Sequence, residues 1–289
     1  MTTALVTSAL APLYGSPDHR AELSSEVPLG HFLDVLEDRS PFLKVRGEDE
    51  HVAWVHQGHL LLDAEPVIAA WREEAHATSL GAALSLGGRE RMLLPLGARL
   101  VLERDGSVRL PDGRVAQVAS GRVAADATLQ DEARAISAAL WAEVFFAGAP
   151  YRWGGVTTWG VDCSGLVQAV FGVRGVKLPR NAAEQAVVGE AVGEDEVVAG
   201  DILYFGERSE VRGNTRRRLV RTASEQGRIT HVAIADGEGY VVHASAAAGG
   251  VCRSPLGGGS AEAEALRATF VGARRVERPP AGAPAGRRG

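Results

Sequence analysis

Cys163 stands in Asp162-Cys163-Ser164-Gly165-Leu166-Val167, where a polar turn runs into an apolar helical repeat. That pattern predicts a sulfur on the first turn of a helix, where backbone N–H groups and the positive end of the helix dipole favour thiolate over thiol. A nucleophilic thiol needs a base, and two histidines lie further on. His231 opens the β-type run Thr230-His231-Val232-Ala233-Ile234-Ala235, and His243 closes a second, Tyr240-Val241-Val242-His243. Between them, Asp236-Gly237-Glu238-Gly239 has the turn chemistry of a hairpin. An antiparallel pair brings the two histidines opposite each other, within imidazole contact. His231 then takes the thiol proton while His243 orients its ring. The plain alternatives are a small buried cysteine and semi-buried histidines with structural hydrogen bonds.

Further motifs surround these residues. Tyr151-Arg152-Trp153-Gly154-Gly155, then Asp162 to Val167, Gly200-Asp201-Ile202-Leu203-Tyr204-Phe205, Thr230 to Ile234 and Val242-His243-Ala244 follow one another in the chain. In kind and order they resemble the NlpC family of bacterial cell-wall cysteine peptidases, over roughly Leu129 to Val276. The resemblance implies an α+β fold with a papain-like core. It also implies cleavage of amide bonds in peptidoglycan stem peptides, between D-glutamate and a diamino acid, through an acyl-thioester and without metal or cofactor. It assigns Cys163 as nucleophile, His231 as general base and His243 as the orienting residue, and points Tyr151 into the cleft. In the muropeptide-recycling members, the equivalents of Asp162 and Ser164 help hold the free N-terminal amine of the substrate. A carboxylate beside a thiol opposes thiolate formation unless it is occupied, which fits Asp162 as an ammonium acceptor. The alternative for Asp162 is a helix N-cap. An oxyanion donor is expected from the backbone N–H of Cys163, with the Tyr151 hydroxyl as a possible addition. Arg180, after Leu178-Pro179, reads as structural.

The first 128 residues have a different texture, with short strand-like runs broken by Gly, Asp and Pro. Val27-Pro28-Leu29-Gly30-His31-Phe32-Leu33 recurs weakly as Leu94-Pro95-Leu96-Gly97-Ala98-Arg99-Leu100, and Val52 to Leu60 matches Val115 to Val123. These copies resemble two small bacterial SH3-like β-barrels, over 1–62 and 63–128, the second holding an inserted helix over Glu65 to Ala75. A second helix is expected from Asp131 to Trp141, opening the catalytic domain at 129–276. Two barrels before such a domain resemble the subgroup that digests free muropeptides with an unblocked L-Ala amine. There the first barrel supplies an acid, matched here by Glu26, with His51 and Trp54 as weaker candidates for the same wall. Glu26 equally reads as a surface carboxylate.

Composition bounds the remaining choices. The chain has 289 residues, 45% hydrophobic and 23% charged, with a formal net charge of −5. That balance argues against nonspecific binding of nucleic acid or anionic membrane. No apolar run approaches the roughly 20 residues that span a bilayer, and the start lacks a secretion signal, so a cytoplasmic location is expected. Cys252, the second of two cysteines, reads as structural. The basic stretch within 206–229 reads as a solvated loop or as a flap whose arginines attract stem-peptide carboxylates. Residues 277–289, rich in Pro, Gly and Ala, are expected to be a disordered tail. The expected partner is therefore a peptide, L-Ala-γ-D-Glu-diamino acid. Two other functions stay open: an exported hydrolase of intact wall, and a non-catalytic peptidoglycan-binding protein.

Overall fold

The computed structural model describes residues 2–88, 90–207, 228–258 and 261–277. The chain mixes helices and strands in two compact units, Met1–Gln130 with Trp153–Trp159, and Asp131–Arg152 with Gly160–Gly289. Most of the basic stretch, including Arg216, Arg217 and Arg218, lies outside the described residues, as does the tail from 278 onward.

The first unit contains β1 (Thr2–Val6), β2 (Leu10–Tyr14), β3 (Leu23–Pro28), β4 (Phe32–Arg39), β5 (Phe42–Gly47), β6 (Val52–His56) and β7 (Leu60–Leu61). They join in the order β3-β2-β6-β5-β4-β1-β7. After α1 (Glu65–Glu74) come β8 (Ala77–Leu80), β9 (Ala83–Leu86), β10 (Glu90–Leu93), β11 (Leu96–Leu102), β12 (Val108–Arg109), β13 (Val115–Ser120) and β14 (Val123–Ala125). Their order, β10-β9-β13-β12-β11-β8-β14, is the first order with every strand number raised by seven. The weak sequence repeat is thus a repeat of topology, in a β-rich region compatible with two small barrels.

Each copy buries its own apolar face, Leu13, Leu33, Val45 and Val55 in the first and Leu84, Leu100, Val108 and Leu110 in the second. The repeated glycines, Gly30 and Gly97, both adopt left-handed backbone with φ of 81° and 89°. At Gly30 a Cβ would also lie 2.5 Å from the Arg99 carbonyl oxygen, so this turn excludes any side chain. Helix α1 has Pro66 in its first turn and lays Ile68 and Trp71 against Leu5, Phe32 and Val101. The Trp71 indole donates to the Gly30 carbonyl at 2.9 Å, which satisfies its buried N–H.

The helix expected from Asp131 to Trp141 is instead two, α2 (Asp126–Arg134) and α3 (Ala138–Phe145). Ser137 causes the break, because its extended backbone lets its hydroxyl accept the Leu140 N–H at 3.1 Å and start a new helix. Short strands β15 (Val156–Thr157) and β16 (Gly160–Val161) precede α4 (Cys163–Val173) and α5 (Ala182–Gln185). The sheet of the second unit follows, with β17 (Glu190–Val192), β18 (Ile202–Gly206), β19 (Ile229–Ala235), β20 (Tyr240–Ser245), β21 (Gly250–Pro255), α6 (Ala261–Thr269) and β22 (Phe270–Arg275). Its order is β17-β22-β18-β19-β20-β21.

Helix α4 packs on β19 and β20, and α6 on β18 and β21, so every residue of β18 is buried. Leu203, Phe205, Ala233, Val241, Phe270 and Ala273 form one core of this sheet. At the far end of α4, buried Arg174 donates to Glu277 at 2.6 Å and to the carbonyls of Ala133 and Ile136. That end of the helix is thereby pinned while its tip faces the histidine strands. Among the described residues no helix is long and apolar enough to cross a membrane.

Candidate active site

Helix α4 begins at Cys163 because Asp162, in extended conformation, caps it by accepting the Gly165 N–H at 2.7 Å. The helix continues through Leu166, Val167, Val170 and Phe171, all buried, so packing against the sheet holds the tip in place. The backbone N–H groups of Val232 and Ser164 act on the thiol, which puts the sulfur near β19, where Val232 follows His231 in the strand.

The hairpin forms as expected, with Gly237 and Gly239 in left-handed backbone at φ of 88°. Its register differs from the expectation. Ile234 pairs with Val242 and Ala235 with Val241, and the ladder between β19 and β20 ends there. His231 and His243 are therefore diagonal neighbours rather than opposite ones, and they meet because imidazoles reach across the diagonal. His231 Nε2 lies 2.6 Å from His243 Nδ1, with ring centroids 4.9 Å apart and planes at 74°. The early end of the ladder also explains how the Val232 N–H can face a thiol instead of a β20 carbonyl.

The electrostatics revise one expectation. Burial pushes the Cys163 thiol up to about 11, and the adjacent Asp162 charge adds to that, against the pull of the Val232 and Ser164 N–H groups and of Arg180. Burial likewise lowers His231 to about 4, with His243 contributing. Both shifts favour a thiol and a neutral imidazole at neutral pH, because burial disfavours the charged form of each group. A ring in that state can accept the thiol proton as the sulfur attacks.

Asp162 does more than cap. Arg180 donates to its two carboxylate oxygens at 3.1 and 2.6 Å and to the Ser164 hydroxyl at 2.9 Å, while Ser164 reaches Asp162 at 3.2 Å. All three side chains are buried. The carboxylate expected to need an ammonium partner already has a guanidinium, which removes the physical premise of that expectation. Gln185, fully buried, donates to the carbonyls of Ser164 at 3.0 Å and Pro179 at 2.8 Å, so α5 holds the same turn from behind. Arg180 and Gln185 were legible only as a polar Arg-Asn-Ala-Ala-Glu-Gln run, and nothing local to that run reports their burial.

Tyr151 is half-buried, and its hydroxyl is raised to about 12 by burial and by the charges of Cys163 and Asp162. It neighbours the nucleophile, held by a backbone bridge to Val161. Behind the histidines, His243 Nε2 meets the Ser254 hydroxyl at 3.0 Å and the Cys252 sulfur at 3.4 Å. Both lie on β21, where Cys252 pairs directly with His243. The sequence shows Cys252-Arg253-Ser254 without a clear strand signal, so neither contact was foreseen.

Glu26 belongs to the first unit, on β3, and is not a surface carboxylate. It is 4% exposed and accepts the Val156 N–H at 3.3 Å. His51 Nε2 pairs with the Ser24 hydroxyl at 3.1 Å, and Trp54 is buried with Arg39 and Lys44 over its ring.

A cysteine at a helix tip, backed by a hydrogen-bonded histidine pair on an antiparallel sheet, defines a thiol–imidazole site of the kind that cysteine hydrolases use. The family model described as NlpC/P60 family matches residues 148–269 of the chain. Over 101 residues the chain is 37% identical to the gamma-D-glutamyl-L-lysine dipeptidyl-peptidase of Bacillus subtilis (strain 168), covering 34% of this chain and 28% of that protein. Over 110 residues it is 37% identical to the protein of Escherichia coli (strain K12) named Probable endopeptidase NlpC, covering 38% of this chain and 60% of that one. The matched stretch thus spans less than two thirds of either relative. An NlpC/P60 family protein from Bacillus cereus ATCC 10987 has a similar fold, with a TM-score of 0.76 at 20% identity over 95% of this chain and 99% of that one.

Proposed function

We propose that the chain is a cysteine endopeptidase that hydrolyses the γ-D-glutamyl-diamino acid bond of peptidoglycan stem peptides bearing a free N-terminal L-Ala. The observation that carries this reading is a Cys163 thiol acted on by the Val232 N–H, next in sequence to His231, whose ring lies 2.6 Å from that of His243. Cys163 attacks the amide carbonyl as His231 removes the thiol proton. His231 then returns that proton to the leaving amine, and water releases the γ-glutamyl acyl group from sulfur. Two relatives named gamma-D-glutamyl-L-lysine dipeptidyl-peptidase support the choice of bond.

The finer parts of the proposal are a papain-like core, two SH3-like barrels in the first unit, a muropeptide-recycling role and a cytoplasmic location. The duplicated strand order supports the barrels. For the free amine we offer Glu26 as the acid, a buried carboxylate that also accepts the Val156 N–H. Ser164 and Tyr151 are offered as further substrate contacts. Asp162, already held by Arg180, serves the turn first.

The test is a product map by mass spectrometry. Purified protein is incubated with L-Ala-γ-D-Glu-diaminopimelate, its N-acetylated form and intact sacculi. Release from the free peptide alone supports the proposal, whereas release from sacculi replaces it with wall lysis. Binding without turnover would make the chain a peptidoglycan-binding module.

A further inference from the structure

We propose that Ser254 is a positioning residue that sets the proton order of the two-histidine pair. This rests on the reading of His231 as the base. Between His231 Nε2 and His243 Nδ1, 2.6 Å apart, there is room for a single proton. If His243 supplies it, then His231 Nε2 accepts, and a neutral His231 must carry its own proton on Nδ1, the nitrogen His243 leaves open and the one that must take the thiol proton if His231 is the base. It cannot then take a proton from Cys163. If His231 supplies it, Nδ1 is free to accept from sulfur, and neutral His243 must carry its proton on Nε2.

What lies next to His243 Nε2 therefore decides whether the base is competent. That nitrogen meets the Ser254 hydroxyl at 3.0 Å, and both residues are buried, at 3% and 2% exposure. In so buried a place an Nε2–H needs a hydrogen-bond acceptor, and the Ser254 oxygen is at hand to serve. Cys252 Sγ, at 3.4 Å, is a weaker acceptor on the same strand. As the thiol proton reaches His231, the positive charge polarises His243 through the short contact, and its Nε2–H becomes a stronger donor. A hydroxyl that accepts stabilises this charged state, whereas one that donates opposes it. Arg253, between the two site-facing residues of β21, points the other way and clamps the strand to Asp236 and Glu238 in the β19–β20 turn. The Ser254 hydroxyl is thus held at fixed register against His243.

The test combines imidazole nitrogen NMR on 15N-histidine-labelled protein with kinetics on L-Ala-γ-D-Glu-diaminopimelate. At neutral pH the parent is expected to show both His231 and His243 protonated on Nε2, assigned with His231→Gln and His243→Gln. In Ser254→Ala, His243 is expected to become a mixture of tautomers. Its kcat should fall about tenfold with KM unchanged, and Ser254→Thr should recover kcat to within about threefold. The acid limb of kcat/KM should move to lower pH in Ser254→Ala, because the imidazolium loses stabilisation. A parent His243 protonated on Nδ1, or a Ser254→Ala variant with unchanged tautomer and pH profile, overturns the proposal. Should Ser254→Ala fail to fold, the parent spectrum still decides. If the parent shows the expected tautomers but cleaves none of the peptides, the peptidase reading fails while the proton order stands.

Discussion

Beside Cys163 the chain buries a full ion pair, Asp162 with Arg180, whereas behind His231 it buries His243 and Ser254, neither of which carries a fixed charge. The first arrangement is rigid and costly to disturb, since removing one buried charge strands the other. The second can change its proton count without leaving an unpaired charge at rest. The difference matches the two tasks. The nucleophile's turn has to keep one geometry, while the imidazole pair has to gain and lose a proton in each cycle.

The largest effect should come from the thiol itself. Cys163→Ala is expected to lower turnover of the free tripeptide by about four orders of magnitude or more while leaving thermal unfolding nearly unchanged. Residual cleavage near the parent rate would remove the nucleophile from this side of the comparison.

Next comes the ion pair. Arg180→Met is expected to destabilise the fold by about 3–5 kcal/mol in urea titration, because Asp162 is left charged and buried. Asp162→Asn with Arg180→Met should restore part of that loss. If the double variant is as unstable as the sum of its parts, Arg180 acts through packing rather than charge, and the contrast between the two sides disappears.

The histidine side should show itself as a pH dependence of stability. Burial, with His243 contributing, lowers His231 in the folded chain to about 4, below the usual 6.5, so the unfolded chain takes up a proton first on acidification. Its contribution is complete above about 6.5 and is lost as pH falls toward 4. The loss reaches about 3 kcal/mol. His231→Gln should flatten the slope in this window, as read by urea midpoints across pH. A slope that survives the substitution would assign the titration to another group.

The smallest effect tests the clamp on β21. Arg253 pairs with Asp236 and Glu238 while itself 37% exposed. Arg253→Ala should cost about 1 kcal/mol or less, and the cost should shrink with added salt. A larger loss in kcat than in stability would tie the strand's register to the histidine pair.

Some of this was legible from residues close together in the chain. The tip of α4, the hairpin turn at Gly237 and Gly239, and the duplicated Pro-Leu-Gly turns each depend on backbone preferences and periodicity within a few residues. For the same reason the break at Ser137 was within reach and was missed: a serine in an apolar helical run reads equally well as an interior residue or a cap.

The rest depended on the assembled fold. Arg180 reaches Asp162 across eighteen positions, Ser254 reaches His243 from a strand with no signal of its own, and Glu26 is buried against Val156 from far away in sequence. The diagonal meeting of the two histidines follows from a ladder that stops after Ala235 and Ile234, and register is a property of the sheet rather than of either strand. The state of the thiol was decided the same way. A helix end acts locally and favours the anion, while the desolvation that opposes it is imposed by everything packed around the sulfur, which no stretch of sequence carries by itself.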